Sequence, residues 1–171
     1  MKRLIALSLL ALAACKEDVA EIPTPIDMTD EALGYYCQMY VAEHAGPKAQ
    51  IFLKGRAAPL WFSQVSDARA YVLDPAREAD ITAIYVSDLG AAESWAIMGE
   101  GNWIAADDAV FLIEGSQMGG MGTPEALPYS SAEAANASGY GGRIMNWQEI
   151  PEIYVRPEMT AMSAMDHGEH N

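Results

Sequence analysis

Residues 50–86 read QIFLKGRAAPLWFSQVSDARAYVLDPAREADITAIYV, and they carry the clearest secondary-structure signals of the chain. The apolar segments 50–53 and 59–62 flank a turn at residues 54–56 that contains Gly55. Two short apolar segments around a glycine-containing turn are typical of a β-hairpin. The stretch therefore begins with two predicted strands.

A helix is predicted next, over residues 67–73, where apolar side chains recur at spacings of three and four. Ser66 is a suitable cap near its start, and Asp74-Pro75 ends it, because proline disfavours helical backbone in the residue before it. Residues 81–86 are rich in β-branched side chains and predict a third strand. The predicted order is ββαβ.

A weaker copy of this order follows in the second half of the chain. Strands are predicted at residues 109–114 and 127–130, a helix from about Ser131, and a closing strand at residues 153–155. A module of about 60 residues is near the lower limit for an independent core. We therefore expect an α+β fold in which two small ββαβ modules pack as one domain over residues 32–157.

The first 14 residues have the features of a secretory signal peptide. Lys2 and Arg3 precede an apolar run at residues 4–13, which is shorter than the roughly 20 residues that span a bilayer. Leu12-Ala13-Ala14-Cys15 resembles the bacterial lipobox, in which the cysteine receives a diacylglyceryl group. We therefore expect a lipid anchor on Cys15; an ordinary signal peptide with a chance cysteine is the alternative.

Residues 15–31 are polar, contain two prolines and predict an extended tether between lipid and domain. The residue after Cys15 is Lys16 rather than aspartate, which favours the outer membrane over the inner membrane. The expected location is the bacterial periplasm, with the protein held at the membrane by its lipid.

The net charge of −14 comes from 24 acidic and 10 basic side chains. A protein that binds phosphate backbones needs a basic face, and the chain has no basic cluster. We therefore expect no nucleic-acid partner.

Cys37 and Met39 form a Cys-Gln-Met motif soon after the tether. If Cys15 carries lipid, Cys37 has no intramolecular disulfide partner in an oxidising compartment. Thiolates and thioethers select Cu(I), and side chains two residues apart project to the same side of an extended segment. The motif indicates a Cu(I) site; a buried inert cysteine and a Cys15–Cys37 disulfide are the alternatives.

Further methionines cluster at two places. Met118 and Met121 lie in a glycine-rich loop, where a thioether is poorly placed for packing but well placed to close over an ion. Residues 158–171 form a Met/His-rich tail, which predicts a secondary copper site with Met118 and His44 as further candidates. The tail candidates are Met159, Met162, Met165, His167 and His170. Three other methionines are interpreted as packing residues, namely Met28, Met98 and Met145.

The lipoprotein signal, the tether, the Cys-x-Met motif and a Met-Gly loop followed by Ala-Leu-Pro-Tyr-Ser resemble the NosL family, the copper-binding lipoproteins of nitrous oxide reductase gene clusters. The similarity covers residues 33–155. It implies two intertwined ββαβ modules and a protein that binds one Cu(I). It also implies that copper is supplied for maturation of nitrous oxide reductase, in cooperation with an ABC-type maturation complex.

Carried over by motif, the resemblance assigns Cys37, Met39 and Met121 as the copper ligands. Gln38 stands where the usual motif has glycine. This departure concerns the backbone of the motif and leaves both donors in place.

The sequence offers little for an enzyme. It has three histidines, no nucleophile elbow, no P-loop and no zinc-protease motif. A Cys37–His44 nucleophilic pair has no identifiable orienting group, and Asp107-Asp108 lacks the spacing of a hard-cation loop. Two non-enzymatic functions remain: a membrane-tethered Cu(I) chaperone, and a structural lipoprotein that docks onto an envelope assembly complex.

Overall fold

In the computed structural model of the protein, residues 22–157 are described. The predicted signal peptide, Cys15, the first part of the tether and the Met/His-rich tail lie outside these residues. Among residues 22–157, none of the helices has the length and apolar content needed to cross a membrane.

The first sheet has four antiparallel strands in the order β2-β1-β3-β4. Gln50 in the central strand β1 pairs with Trp61 of β2 on one side and with Tyr85 of β3 on the other. A helix, α1, connects β2 to β3. The bounds are β1 (Ala49–Leu53), β2 (Leu60–Phe62), α1 (Val65–Leu73), β3 (Ile81–Ser87) and β4 (Trp103–Ala105).

The second sheet has three antiparallel strands in the order β6-β5-β7, with helix α2 between β6 and β7. A short helix, α3, follows it, and two 3-10 turns lie at Val41–Glu43 and Trp147–Glu149. The bounds are β5 (Val110–Ile113), β6 (Leu127–Tyr129), α2 (Ala132–Ala137), β7 (Arg143–Asn146) and α3 (Glu152–Val155).

The predicted α+β class and the ββαβ order of the first module are confirmed. Asp74 ends α1 directly before Pro75, as expected. The second helix begins after Ser131, whose hydroxyl accepts a hydrogen bond from Ala134 N at 3.2 Å. Local signals were sufficient here, because capping and proline chemistry act within a few residues.

The closing strand at residues 153–155 was predicted wrongly. Those residues form α3, and β7 at Arg143–Asn146 pairs with β5 instead, from Phe111 opposite Met145. With β6 on its other edge, β5 has no edge left for a further strand. Tyr154 of α3 instead donates from its hydroxyl to Glu125 O at 2.8 Å, which fastens the helix across the sheet.

Two smaller differences concern the first module. The helix begins at Val65 after Gln64, so Ser66 lies inside it rather than at its cap, and its hydroxyl donates to Glu125 Oε1 at 2.9 Å. The loop before the second module contains an additional strand, β4, which pairs with β3 through Val86 opposite Ile104.

One hydrophobic core joins the two sheets. Phe62 and Tyr71 of the first module belong to the same buried cluster as Phe111 and Trp147 of the second. Arg69, on α1, is buried as well; it donates to Gln148 O at 2.9 Å and its guanidinium lies 5.5 Å from the centre of the Trp147 ring. Because α1 makes these contacts, the connection between β2 and α1 lies against the second module.

Candidate metal centre

Cys37 lies in a tight turn that is fastened to the edge of the first sheet. Leu33 and Tyr40 form a bridge at the base of the turn, and Gly34 N donates to Met39 O at 2.9 Å. Tyr35 N donates to Trp61 O at 2.7 Å, which attaches the turn to β2. The expectation of an extended segment around Cys37 is therefore wrong: the local hydrogen bonds close it into a turn.

Gln38 explains why this position suits glycine. Its φ is +55°, in the left-handed region where a side chain is disfavoured. Its backbone N donates to Gly34 O at 2.9 Å, and its side-chain amide donates to Tyr35 O at 2.7 Å. These bonds stabilise a conformation that glycine adopts without strain, so the turn is retained with glutamine present.

The Cys37 sulfur lies against the end of β2. Its Sγ is 3.4 Å from Ser63 Oγ, the side chain is half-buried, and the thiol is free. A Cβ at Gly34 would lie 2.4 Å from this sulfur and 3.1 Å from Ser63 Oγ. The position of the thiol therefore requires glycine at residue 34.

The methionine loop is fastened to the next residue of the chain, Gln64. Met121 N donates to Gln64 Oε1 at 2.8 Å, and Gln64 Nε2 donates to Thr123 Oγ1 at 2.7 Å. The Gln64 side chain is 1% exposed, so these bonds are shielded from water. Gly119 approaches so closely that a Cβ there would lie 2.6 Å from Gln64 Oε1.

Two candidate ligand segments thus meet at one corner of the fold. The Cys37 turn contacts Ser63, the methionine loop binds Gln64, and these two adjacent residues connect β2 to α1. The thioether side chains remain accessible, with Met39 40%, Met118 44% and Met121 36% exposed. Exposed methionines beside a half-buried thiol form a soft-donor surface open to an incoming ion.

The other candidates are placed differently. His44 lies beside the methionine loop, since a Cβ at Gly120 would lie 3.2 Å from His44 Cβ. Its Nε2 is buried and has no hydrogen-bond partner among the described residues. The hydroxyl of Ser63, rather than His44, is the group recorded within hydrogen-bond distance of the Cys37 sulfur. The tail candidates lie outside residues 22–157.

Harder metals find no suitable ligand set in the described part of the chain. No group of three or more His, Cys, Asp or Glu side chains in residues 22–157 is arranged to hold an ion. Asp107 of the Asp107-Asp108 pair instead accepts a hydrogen bond from Gln148 Nε2. The donors that do come together are a thiol and thioethers, which fit Cu(I) rather than Zn²⁺ or Ca²⁺.

A buried carboxyl group lies under the methionine loop. Glu125 is 1% exposed; its Oε1 accepts from Ser66 N and Ala126 N, and its Oε2 has no partner among the described residues. A Cβ at Gly119 would lie 2.9 Å from that Oε2. Burial raises the pKa of Glu125 to about 7, against the opposing effect of the hydrogen bonds from Ser66.

Sequence reasoning missed the residues that position the donors. Ser63 and Gln64 carry no motif, and Glu125 is one of many acidic residues in the chain. Gly34, three residues before Cys37, was an available signal, because a glycine beside a functional side chain often marks a close approach.

Comparison with known proteins gives consistent results. The model of the NosL family matches residues 25–155. The copper-binding lipoprotein NosL of Achromobacter cycloclastes is 52% identical over 155 residues, which cover 89% of this chain and 80% of that protein. The crystal structure of the copper chaperone NosL from Shewanella denitrificans superposes with a TM-score of 0.68 at 26% identity, over 76% of this chain and 98% of that one. With a matching family model, a half-identical relative and a shared fold, the chain belongs to the NosL family.

Proposed function

We propose that this protein is a lipid-anchored Cu(I) chaperone whose ion is bound by the Cys37 thiolate and by the thioethers of Met39 and Met121. The observation that carries the proposal is the convergence of the Cys37 turn and the methionine loop on Ser63 and Gln64. Relatives named as a copper-binding lipoprotein and a copper chaperone support the choice of metal.

The donor set suits delivery better than storage. Cu(I) is stable with two or three soft ligands, so an incoming ligand from an acceptor can add before the original ligands leave. Met39 and Met121 are partly exposed, which leaves the ion within reach of a partner. Three neighbouring side chains form an exposed apolar rim suited to docking: Leu33, Tyr36 and Tyr40.

We further propose that the copper serves maturation of nitrous oxide reductase, delivered to the enzyme or to its ABC-type maturation complex. A lipid on Cys15 would hold the domain at the periplasmic face of the outer membrane. The assignment adds no chemical reaction to binding and transfer, and the net charge of −14 favours an acceptor with a basic docking face.

The test is an anaerobic Cu(I) titration against a competing chelator. We expect one tight equivalent, its loss in Cys37→Ser, and a weaker site in Met121→Leu, because each substitution removes one soft donor. Met145→Leu is the matched control, since Met145 is a half-buried methionine packed against the core in β7.

The same titration separates chaperone from docking lipoprotein. Weak binding that is indifferent to both Cys37→Ser and Met121→Leu would refute the copper site and support a structural docking role. A circular dichroism spectrum of each variant shows whether the fold is retained. Transfer is then followed by mixing the loaded protein with copper-free nitrous oxide reductase or with the maturation complex and measuring copper in each after separation.

A further inference from the structure

A pocket of about 190 Å³ lies where the end of the tether, the chain before β1 and the loop before β4 come together. Its wall includes two thioethers, an imidazole and an indole, from Met28, Met98, His44 and Trp103. Neither Cys37 nor Met39 nor Met121 lines it. The pocket therefore groups soft donors apart from the ligands proposed above.

His44 brings an unsatisfied nitrogen to this pocket. Its Nε2 is buried and has no hydrogen-bond partner among the described residues, whereas buried polar atoms in folded proteins nearly always have one. An imidazole nitrogen with a free lone pair is a good ligand for copper. A metal ion in the pocket would supply the missing partner.

The two methionines border space rather than fill the core. Met28 and Met98 are half-buried, and neither belongs to a hydrophobic core cluster of the described residues. The sequence-based interpretation as packing residues accounts poorly for thioethers that face a cavity, because interiors are normally close-packed. Thioethers at the wall of an open pocket remain available as ligands.

The backbone segments that carry these methionines are tied together. Asp27 Oδ1 accepts from Gly101 N at 2.7 Å and from Trp103 Nε1 at 3.2 Å, next to Met28 in the chain. Asn102 Nδ2 donates to Met98 O at 2.6 Å. Since residues 101–103 contact both segments, Met28 and Met98 are held on a common frame before any ion arrives.

The charges of the pocket tolerate a monovalent cation. Lys48 lines it and donates from Nζ to Gly46 O at 2.6 Å, while Asp27 and Glu100 add two carboxylates to the same wall. One ammonium and two carboxylates leave room for one further positive charge. The indole of Trp103 adds the attraction of an aromatic ring for a cation.

We propose that this pocket is a second Cu(I) site, with the thioethers of Met28 and Met98 and the imidazole of His44 as its ligands. The site goes beyond the proposed function because it does not use Cys37. His44 also borders Gly120 of the methionine loop, so an ion held here lies next to the loop that carries Met121.

The test uses the full mature chain in detergent, with ¹³C-labelled methionine methyl groups and the substitution Cys37→Ser. Cu(I) is diamagnetic, so an anaerobic NMR titration reports each thioether separately. We expect the Met28 and Met98 methyl signals to move together and to saturate at one equivalent of Cu(I). His44→Phe should weaken this binding at least about tenfold, since it removes the one nitrogen ligand.

Matched variants complete the design. Met28→Leu or Met98→Leu, which conserve volume and should retain the fold, are expected to abolish the shift of the remaining partner. Met145→Leu should leave both shifts intact. Methyl signals of Met28 and Met98 that stay unmoved while only tail methionines respond would overturn the proposal. The chain with Cys37 intact, titrated in parallel, reports the Met39 and Met121 methyls, so failure of either site is seen separately.

Discussion

Gly34 is the residue on which the position of the Cys37 thiol depends. It gives the sulfur room at the mouth of the turn and lets the turn lie against Ser63. Glycine here is required by a close approach rather than by an unusual backbone angle, because Gly34 is not among the residues with positive φ. A single methyl group at this place therefore acts directly on the proposed ligand.

We predict that Gly34→Ala displaces the sulfur, weakens Cu(I) binding and lowers the free energy of unfolding by about 1–3 kcal/mol, the usual cost of overpacking. The reason is the 2.4 Å separation between the added Cβ and Sγ. Chelator competition and urea unfolding are the measurements. In a double-mutant cycle, Gly34→Ala should cost less stability when Cys37 is already alanine; equal costs in the two backgrounds would contradict the prediction.

Gln38 shows how far a residue-level expectation reached. The sequence identified the position as unusual, because the family's motif has glycine there. The structure supplies the reason, a φ of +55°, and the compensation, an amide bonded to Tyr35 O at 2.7 Å. The compensation could not be predicted, since it depends on how the turn closes.

At the scale of elements, the connection from β2 to α1 organises the proposed site. Ser63 and Gln64 are buried, adjacent and specific for different loops: the first contacts the Cys37 turn and the second binds the methionine loop. Sequence distance hides this arrangement, because Gln64 and Met121 are 57 residues apart. Only the packing of α1 against the second module brings them together.

We predict that Gln64→Ala frees the methionine loop and weakens Cu(I) binding to about the level of Met121→Leu, while the Cys37 turn remains. It removes the acceptor for Met121 N and the donor to Thr123, and an unpaired buried partner costs about 1–3 kcal/mol of stability. Chelator competition measures the affinity. Thr123→Val is the graded control, since it removes one of the two bonds; a Gln64→Ala protein that binds copper as tightly as the parent would disprove the link.

For the whole molecule, the buried carboxyl of Glu125 couples stability to pH. Burial raises its pKa to about 7 from the ordinary 4.5. Between these two values the folded chain holds a proton that the unfolded chain releases. The contribution of Glu125 to stability is therefore fully present below about pH 4.5 and is lost as the pH rises through 7.

We predict that the free energy of unfolding falls between pH 5 and pH 7.5 by up to about 1.4 kcal/mol per pH unit, and that Glu125→Gln reduces this slope. Urea unfolding across the range is the measurement. Burial also raises the pKa of Asp67, which is present in both chains, so the difference between the two curves isolates Glu125.

Glu114→Gln is the control for this experiment. The Arg143 guanidinium beside Glu114 lowers the pKa of that exposed carboxyl, so its effect belongs below this pH range. Lys48 does not interfere either, because burial lowers its pKa only to about 8 and both states remain protonated between pH 5 and 7. Parallel curves for the parent and Glu125→Gln would show that the buried carboxyl is not the source of the pH dependence.

The sequence by itself determined what depends on neighbours along the chain. The hairpin, α1 and the start of α2 follow from spacing, proline and capping chemistry, and the soft-donor character of residues 37–39 and 118–121 is a matter of residue type. The resemblance to the NosL family, carried by the same short motifs, named the family to which the chain belongs.

The tertiary structure alone decided what depends on segments far apart. It gave the closing position in the second sheet to β7 rather than to residues 153–155, and it placed the Cys37 turn and the methionine loop on adjacent residues. It also gathered Met28, Met98 and His44 around one pocket. The physical reason is common to all three: strand edges, buried hydrogen bonds and cavities arise from long-range packing, which leaves no periodic or local trace in the sequence.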